Sequence, residues 1–384
     1  MRWRTAAVVA AAAVGAGAVV LVIGRRASER MVHPGAGPGA GPGAGPGVGV
    51  AVQESGPILV QSLAAGRVTF TRRPESLRRG RWAVEWEGGG HAVVEEILHS
   101  DEQGVTRRLV RADRGTLTPG TEVHFTPRVL LGDPSEALGL AFSDTSADGE
   151  LGALPAWHLD GKRGTWVILV HGTEADRQQT LPVLPVLDRL GLPVLAVTYR
   201  GDAGAPASPD GLSHFGATEW RDVESAIRLA LDHGAGRVIL YGWSLGATMV
   251  LHAAARSAWA NTISGLILDS PVLDLPASAR RDAARAGFTG VAAELGALAA
   301  EGRTGVDLAD FARLAEGADL HAPTLVLHSP SDRIAPFGAA QRLAAARPDV
   351  VNLQAFPGAD HAALWNSAPD HYTELLRRWL TPLL

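Results

Sequence analysis

The sequence predicts an α/β protein: a mostly parallel sheet covered by helices, preceded by a small β-rich domain and an apolar N-terminal span. Three observations carry this reading. Nearly uninterrupted apolar runs recur at 165–170, 193–198, 237–241, 263–268, 324–327 and 350–356. Helix-like segments separate most of them, notably 218–232, 247–258 and 337–346. Strands buried on both faces read as continuous apolar runs, so their alternation with helices indicates a parallel sheet. Finally, Tyr241-Gly242-Trp243-Ser244-Leu245-Gly246 lies between a strand candidate and a small-residue helix candidate. That is the strand, sharp turn and helix setting in which a G-x-S-x-G serine becomes a nucleophile.

The elements follow in chain order. Between Arg4 and Arg25 lie 20 uncharged residues, long enough to cross a hydrocarbon core as a helix. Residues 1–30 are therefore expected to be an uncleaved membrane anchor, with a cleaved signal peptide or a soluble amphipathic or buried helix as the alternatives. Arginines flank both ends, so the charge bias that sets orientation is weak. A Gly-Ala-Gly-Pro repeat of period four follows. Collagen needs glycine at every third position, so 31–56 reads as a flexible linker. This organisation suggests a single-pass protein of the cell membrane with an extracytoplasmic body, or a secreted one.

Residues 57–148 are polar and turn-rich, with strand candidates at 82–86, 93–98, 106–110 and 123–125 and no long helical period. His91, His99 and His124 lack metal-ligand spacing and read as solvated or hydrogen-bonded side chains. Residues 149–384 form the larger α/β domain. An Ala-rich helical interval at about 275–320 interrupts its alternation and reads as an inserted cap, an ordinary pair of covering helices being the alternative. Composition excludes some functions. Lys plus Arg total 35 against 40 Asp plus Glu, for a formal charge of −5, which gives no basis for nucleic-acid binding. The absence of cysteine removes disulfides and thiolate chemistry.

A serine nucleophile needs a base, and the base needs an orienting acid. Asp332 falls in the loop after the 324–327 run, and His361 in the loop after the 350–356 run. Ser244, Asp332 and His361 thus each follow a separate predicted strand, where ligands bind in such sheets. Asp269, directly after 263–268, competes as the acid; Asp360 adjoins His361 too closely to turn back to it. His328 is the alternative base. Backbone donors for an oxyanion are expected at Leu245 and at Thr173, after the turn His171-Gly172. His171 is expected to be structural, and Trp243 to pack beside the serine and border the substrate pocket.

The elbow, the His171-Gly172 turn, Asp332 and His361 together resemble an α/β-hydrolase serine hydrolase. Tyr199-Arg200-Gly201-Asp202-Ala203-Gly204 resembles a turn of the prolyl-oligopeptidase-like and lysophospholipase-like branches. The resemblance covers roughly 151–384. It implies Ser244 as nucleophile, Asp332 as acid, His361 as base, and Thr173 and Leu245 as oxyanion donors. The expected function is cleavage of small or medium carboxylic esters through an acyl-enzyme, with no cofactor or metal. Peptide or amide cleavage, thioester hydrolysis, acyl transfer and noncatalytic interaction in the cell envelope are the alternatives.

Overall fold

The computed structural model describes Val32 and residues 56–285, 298–299 and 301–384. The expected anchor and nearly all of the expected linker lie outside these residues. Among the described residues no helix is long and apolar enough to cross a membrane.

Residues 58–126 close into an antiparallel barrel of β1 (Ile58–Ala64), β2 (Arg67–Thr71), β3 (Trp82–Trp86), β4 (Gly90–Ser100), β5 (Gly104–Arg114) and β6 (Glu122–Thr126). Neighbours run β1-β2-β5-β4-β3-β6, and β6 pairs back to β1. Closure leaves no strand edge open to stray pairing. Alternation makes it possible: Ile58 and Val60 of β1 point inward while Leu59 is 38% exposed. Phe70 and Phe125 meet edge-to-face at 5.1 Å in the interior.

One interior residue is charged. Arg107 is fully buried and has no carboxylate partner; its donors go to the carbonyls of Glu95, Ser76, Arg78 and Gly80. Burial lowers its pKa to about 10, so it stays cationic at neutral pH. The guanidinium fork thereby replaces the hydrogen bonds that an irregular loop, 76–80, cannot make to itself.

The larger domain holds an eight-stranded sheet in the order β14-β13-β12-β11-β9-β10-β8-β7. The central strands β9 (Thr165–Val170), β10 (Val194–Val197), β11 (Arg237–Trp243), β12 (Ile263–Asp269), β13 (Thr324–His328) and β14 (Val351–Ala355) are parallel. Antiparallel β8 (Gly152–Leu159) and β7 (Ser143–Gly149) extend one side. All six residues of β9 are buried, since helices cover both faces. Trp220–Asp232 and Leu245–Arg256 pack one face; Leu184–Arg189 and Pro369–Leu380 pack the other.

Two boundaries differ from the sequence expectation. The larger domain begins before residue 149, because β7 is a strand of its sheet. Its sequence, SDTSADG, is polar because an edge strand is exposed. Val32, within the expected linker, is buried in the larger domain's core, and its carbonyl accepts from the Ser213 amide at 2.9 Å. The described part of the 275–320 interval holds the helices Leu275–Arg285 and Leu308–Glu316. Leu275–Arg285 reaches the Asp332 loop through Arg281, which donates to the Asp332 carbonyl at 2.9 Å. Leu308–Glu316 instead buries Phe311 and Ala315 against the sheet core.

Candidate active site

Ser244 occupies the bend between β11 and the helix Leu245–Arg256, with φ 52° and ψ −116°. That region is strained for a residue with a Cβ, and the surroundings enforce it. A Cβ on Gly242 would lie 2.4 Å from the Gly246 carbonyl oxygen; one on Gly246 would lie 2.3 Å from that of Val170. Only glycine permits the helix to cross so near the strands. The Ser244 amide donates to the Asp269 carbonyl at 2.8 Å, fixing the bend to β12.

His361 follows β14 in a loop whose next residue, Ala362, has φ 52°. Its Nε2 lies 2.7 Å from Ser244 Oγ, and its Nδ1 lies 2.7 Å from Asp332 Oδ2. Asp332 is 5% exposed, and Oδ1 accepts from the Ile334 and Ala335 amides, each at 2.8 Å. Burial alone would raise this carboxyl's pKa, but His361 and His328 outweigh it and hold the group well below the usual carboxylate range. The sequence-predicted serine, histidine and aspartate thus form one continuous hydrogen-bonded chain. The arrangement allows the serine proton to pass to an imidazole whose other nitrogen is held by a carboxylate.

The competing residues are placed elsewhere in the network. His328 Nε2 lies 3.1 Å from Asp332 Oδ2, so it supports the acid rather than meeting the serine. Asp269 is fully buried; Tyr372 donates to it at 2.6 Å and Ser270 at 2.8 Å. Burial raises its pKa to about 6 despite those donors. Ser270 also receives the Ala362 amide at 3.0 Å, linking this buried carboxyl to the histidine loop. Asp360 turns outward and pairs with Arg78 of the barrel at 2.5 Å.

The His171-Gly172-Thr173 turn reaches the serine, since a Cβ on Gly172 would lie 3.1 Å from Ser244 Cβ. Among the described residues neither the Thr173 nor the Leu245 amide donates to a protein acceptor. His171 is structural, as its sequence position suggests. Its ring nitrogens lie 2.9 Å from Asp202 Oδ2 and 2.9 Å from the Gly172 carbonyl. Both partners are acceptors, so only the imidazolium makes both bonds. Its burial opposes charge, but Asp202 prevails and raises the pKa. Gln179 escaped the sequence reading: its Oε1 accepts from the Gly172 amide at 2.8 Å and braces the turn. Asn366 escaped too; it donates to the barrel carbonyls of Arg81 at 3.0 Å and Pro127 at 2.8 Å. Trp243 stacks on Tyr241 at 4.0 Å and borders a cleft at this sheet edge. Among the described residues no cluster of histidines and carboxylates could hold a metal ion.

The alpha/beta hydrolase family model matches residues 167–374, more than half of the chain. The chain belongs to the α/β-hydrolase family. A separate match, to a domain of unknown function (DUF8805), covers residues 59–126, the strands of the barrel. An uncharacterised protein of Mycobacterium tuberculosis is 29% identical over 210 residues, 53% of this chain and 65% of that protein. The chain therefore spans less than two thirds of that relative's length. Among solved structures, the esterase Pf2001 of Pyrococcus furiosus superposes with a TM-score of 0.55 at 17% identity, covering 66% of this chain and 96% of that one. Est1E of Butyrivibrio proteoclasticus, solved with ferulic acid bound, gives 0.50 at 17% identity, covering 62% and 98%. These likenesses establish a shared fold.

Proposed function

We propose that the protein is a serine hydrolase that cleaves small or medium carboxylic esters through an acyl-enzyme. The observation that carries this is the unbroken chain Asp332–His361–Ser244, with both bonds at 2.7 Å. In the first half-reaction His361 takes the Ser244 proton as Oγ attacks the ester carbonyl. The Leu245 and Thr173 amides receive the negative oxygen, and His361 then protonates the departing alcohol. In the second half-reaction His361 deprotonates water, which attacks the acyl carbon; the bond to Ser244 Oγ then breaks, His361 returns the proton to Oγ, and the carboxylic acid leaves. Asp332 keeps the Nδ1–H tautomer of His361 and stabilises its charged form. The name of one structural neighbour, the esterase Pf2001, agrees with this reading, which rests on the chain's own geometry.

A fluorophosphonate probe provides the test. The expected result is covalent labelling of the folded protein at Ser244 and none of S244A. Failure of the folded wild type to label would abandon the enzyme reading in favour of an interaction role on the same fold. A p-nitrophenyl ester series from two to sixteen carbons is expected to peak in kcat/KM at eight or fewer; a peak at twelve or more would favour lipid substrates. The apolar span 5–24 is proposed to anchor the chain in the cell membrane with its body outside the cytoplasm. Extraction of the full-length chain by carbonate would count against that anchor.

A further inference from the structure

The barrel takes no part in the proton transfers above, yet the segment that leaves it is fixed at one carbonyl after another. The Pro127 carbonyl accepts from Asn366 at 2.8 Å, and the Arg128 carbonyl from His91 at 2.8 Å. The Val129 carbonyl accepts from Arg111, which is anchored on Asp113 at 2.7 Å. The Arg128 side chain is itself held by Glu85 at 2.9 and 3.0 Å. Three successive carbonyls therefore end on three side chains: two from the barrel and one from the helix Leu364–Ser367, just beyond His361. Most main-chain carbonyls are satisfied by other main chain, so this pinning makes a rigid wall out of a loop.

The wall faces the site. A cleft that opens to solvent is bordered by Pro127, Arg128, Val129 and Leu130 on the barrel side. Trp243, Trp365 and Tyr372 border it from the hydrolase side. Ser244 and His361 are not in the lining, but Trp243 immediately precedes the first and Ala362, also in the lining, immediately follows the second. Arg128, Asp176, Gln178, Gln179, Asp269 and Asn366 also line it, so the cleft sets polar groups beside its aromatic and aliphatic walls, as small-molecule sites do.

We infer that this cleft receives the acyl group of the substrate, so that the domain of unknown function acts as the acyl-selecting wall of the hydrolase. Indole and phenol rings on one side with Val129 and Leu130 on the other favour a compact acyl group of the aryl type over a long flexible chain. This inference rests on the ester-hydrolase reading of Ser244 and adds which part of the molecule chooses the substrate. Leu130 is the residue to vary, since it is only half-buried while Val129 is packed within the wall.

The experiment measures kcat/KM for p-nitrophenyl benzoate relative to p-nitrophenyl acetate in wild type, L130A, L130W and L130M. Narrowing the cleft with L130W is expected to lower the benzoate-to-acetate ratio at least tenfold. Widening it with L130A is expected to move the optimum towards bulkier aryl esters such as the naphthoate. L130M, which conserves volume, is expected to keep the wild-type ratio. Should L130W fail to fold, the L130A shift alone decides. Labelling by a small fluorophosphonate runs alongside. A wild type that labels and hydrolyses, with ratios within twofold across the folded variants, overturns the acyl-wall inference alone. A wild type that neither labels nor hydrolyses overturns the ester-hydrolase reading and this inference with it.

Discussion

Replacing Gly80 with alanine tests whether the barrel holds the histidine loop in place. Gly80 has φ +85°, and a Cβ there would lie 2.0 Å from the Asn366 carbonyl oxygen and 2.7 Å from that of Ser367. Reaching the 3.0 Å floor that real Cβ atoms observe requires a retreat of about 1 Å. That retreat pulls on three hydrogen bonds across the domains: Arg81 N to Asn366 O at 2.7 Å, and Asn366 Nδ2 to the Arg81 and Pro127 carbonyls. At about 1 kcal/mol each, some 3 kcal/mol of interdomain docking is at stake. Asn366 lies five residues beyond His361, so a displacement of this size reaches the catalytic geometry, where ~1 Å costs on the order of 100-fold. Gly66 supplies the control. Its φ is +71° with nothing within 4 Å, so alanine there adds only the left-handed backbone strain of about 1–2 kcal/mol. The assay is kcat/KM on p-nitrophenyl butyrate with thermal unfolding of both variants. G80A is expected to lose about 100-fold in activity and G66A less than threefold. Equal activity in the two would refute the claim that barrel docking positions His361.

Other outcomes follow from the same geometry. Asp332→Asn is expected to lower kcat by about 10³–10⁴-fold through loss of the correct histidine tautomer, whereas Asp269→Asn stays within tenfold; a reversed order in steady-state kinetics would assign the acid to Asp269. Asp269 also has a stability signature. Its carboxyl holds a proton to about pH 6 in the folded chain but only to 3.8 in the reference state, so the folded state binds more protons between these values and stability falls as pH rises through the window. The two-unit shift corresponds to at most about 3 kcal/mol. Urea unfolding should therefore show Asp269→Asn gaining on wild type between pH 4 and 8, and parallel curves would remove Asp269 from the account. Gly246→Ala, whose Cβ would lie 2.3 Å from the Val170 carbonyl oxygen, is expected to abolish probe labelling or folding, and a fully active variant would contradict the elbow geometry.

The site was more legible in sequence than the architecture around it, for physical reasons. Ser244 directly follows β11, and Asp332 and His361 lie in the loops after β13 and β14, so the succession of strands put all three at one edge of the sheet. The acid remained open because Asp269 ends a strand equally well; only the bonds to Tyr372 and Ser270 show its carboxylate to be occupied elsewhere. β7 was hidden because an exposed edge strand has no apolar alternation to read. Arg107 and Asn366 left no local signal, since each acts on main chain distant in sequence; Asn366 and Arg81 are separated by 285 positions, and Gln179, only seven positions from Gly172, belongs to no motif. Polar side chains that close main-chain gaps become visible only once the gaps exist.

The burial of Val32 changes what the Gly/Pro-rich run between it and the barrel can do. Val32 is fixed in the hydrolase core and β1 begins at Ile58 in the barrel, so residues 33–55 join two points on one body. Both ends of the run are thus tied to described parts of the fold. Its length enters the stability of the fold through the logarithm of loop size, and doubling or halving it alters that term by only about 0.6 kcal/mol. The distance from residue 30 to the folded body is set at Val32, two positions away, whatever the number of Gly-Ala-Gly-Pro units. Repeat expansion or contraction here is therefore nearly neutral for stability and leaves the body's standoff from the N-terminal span unchanged.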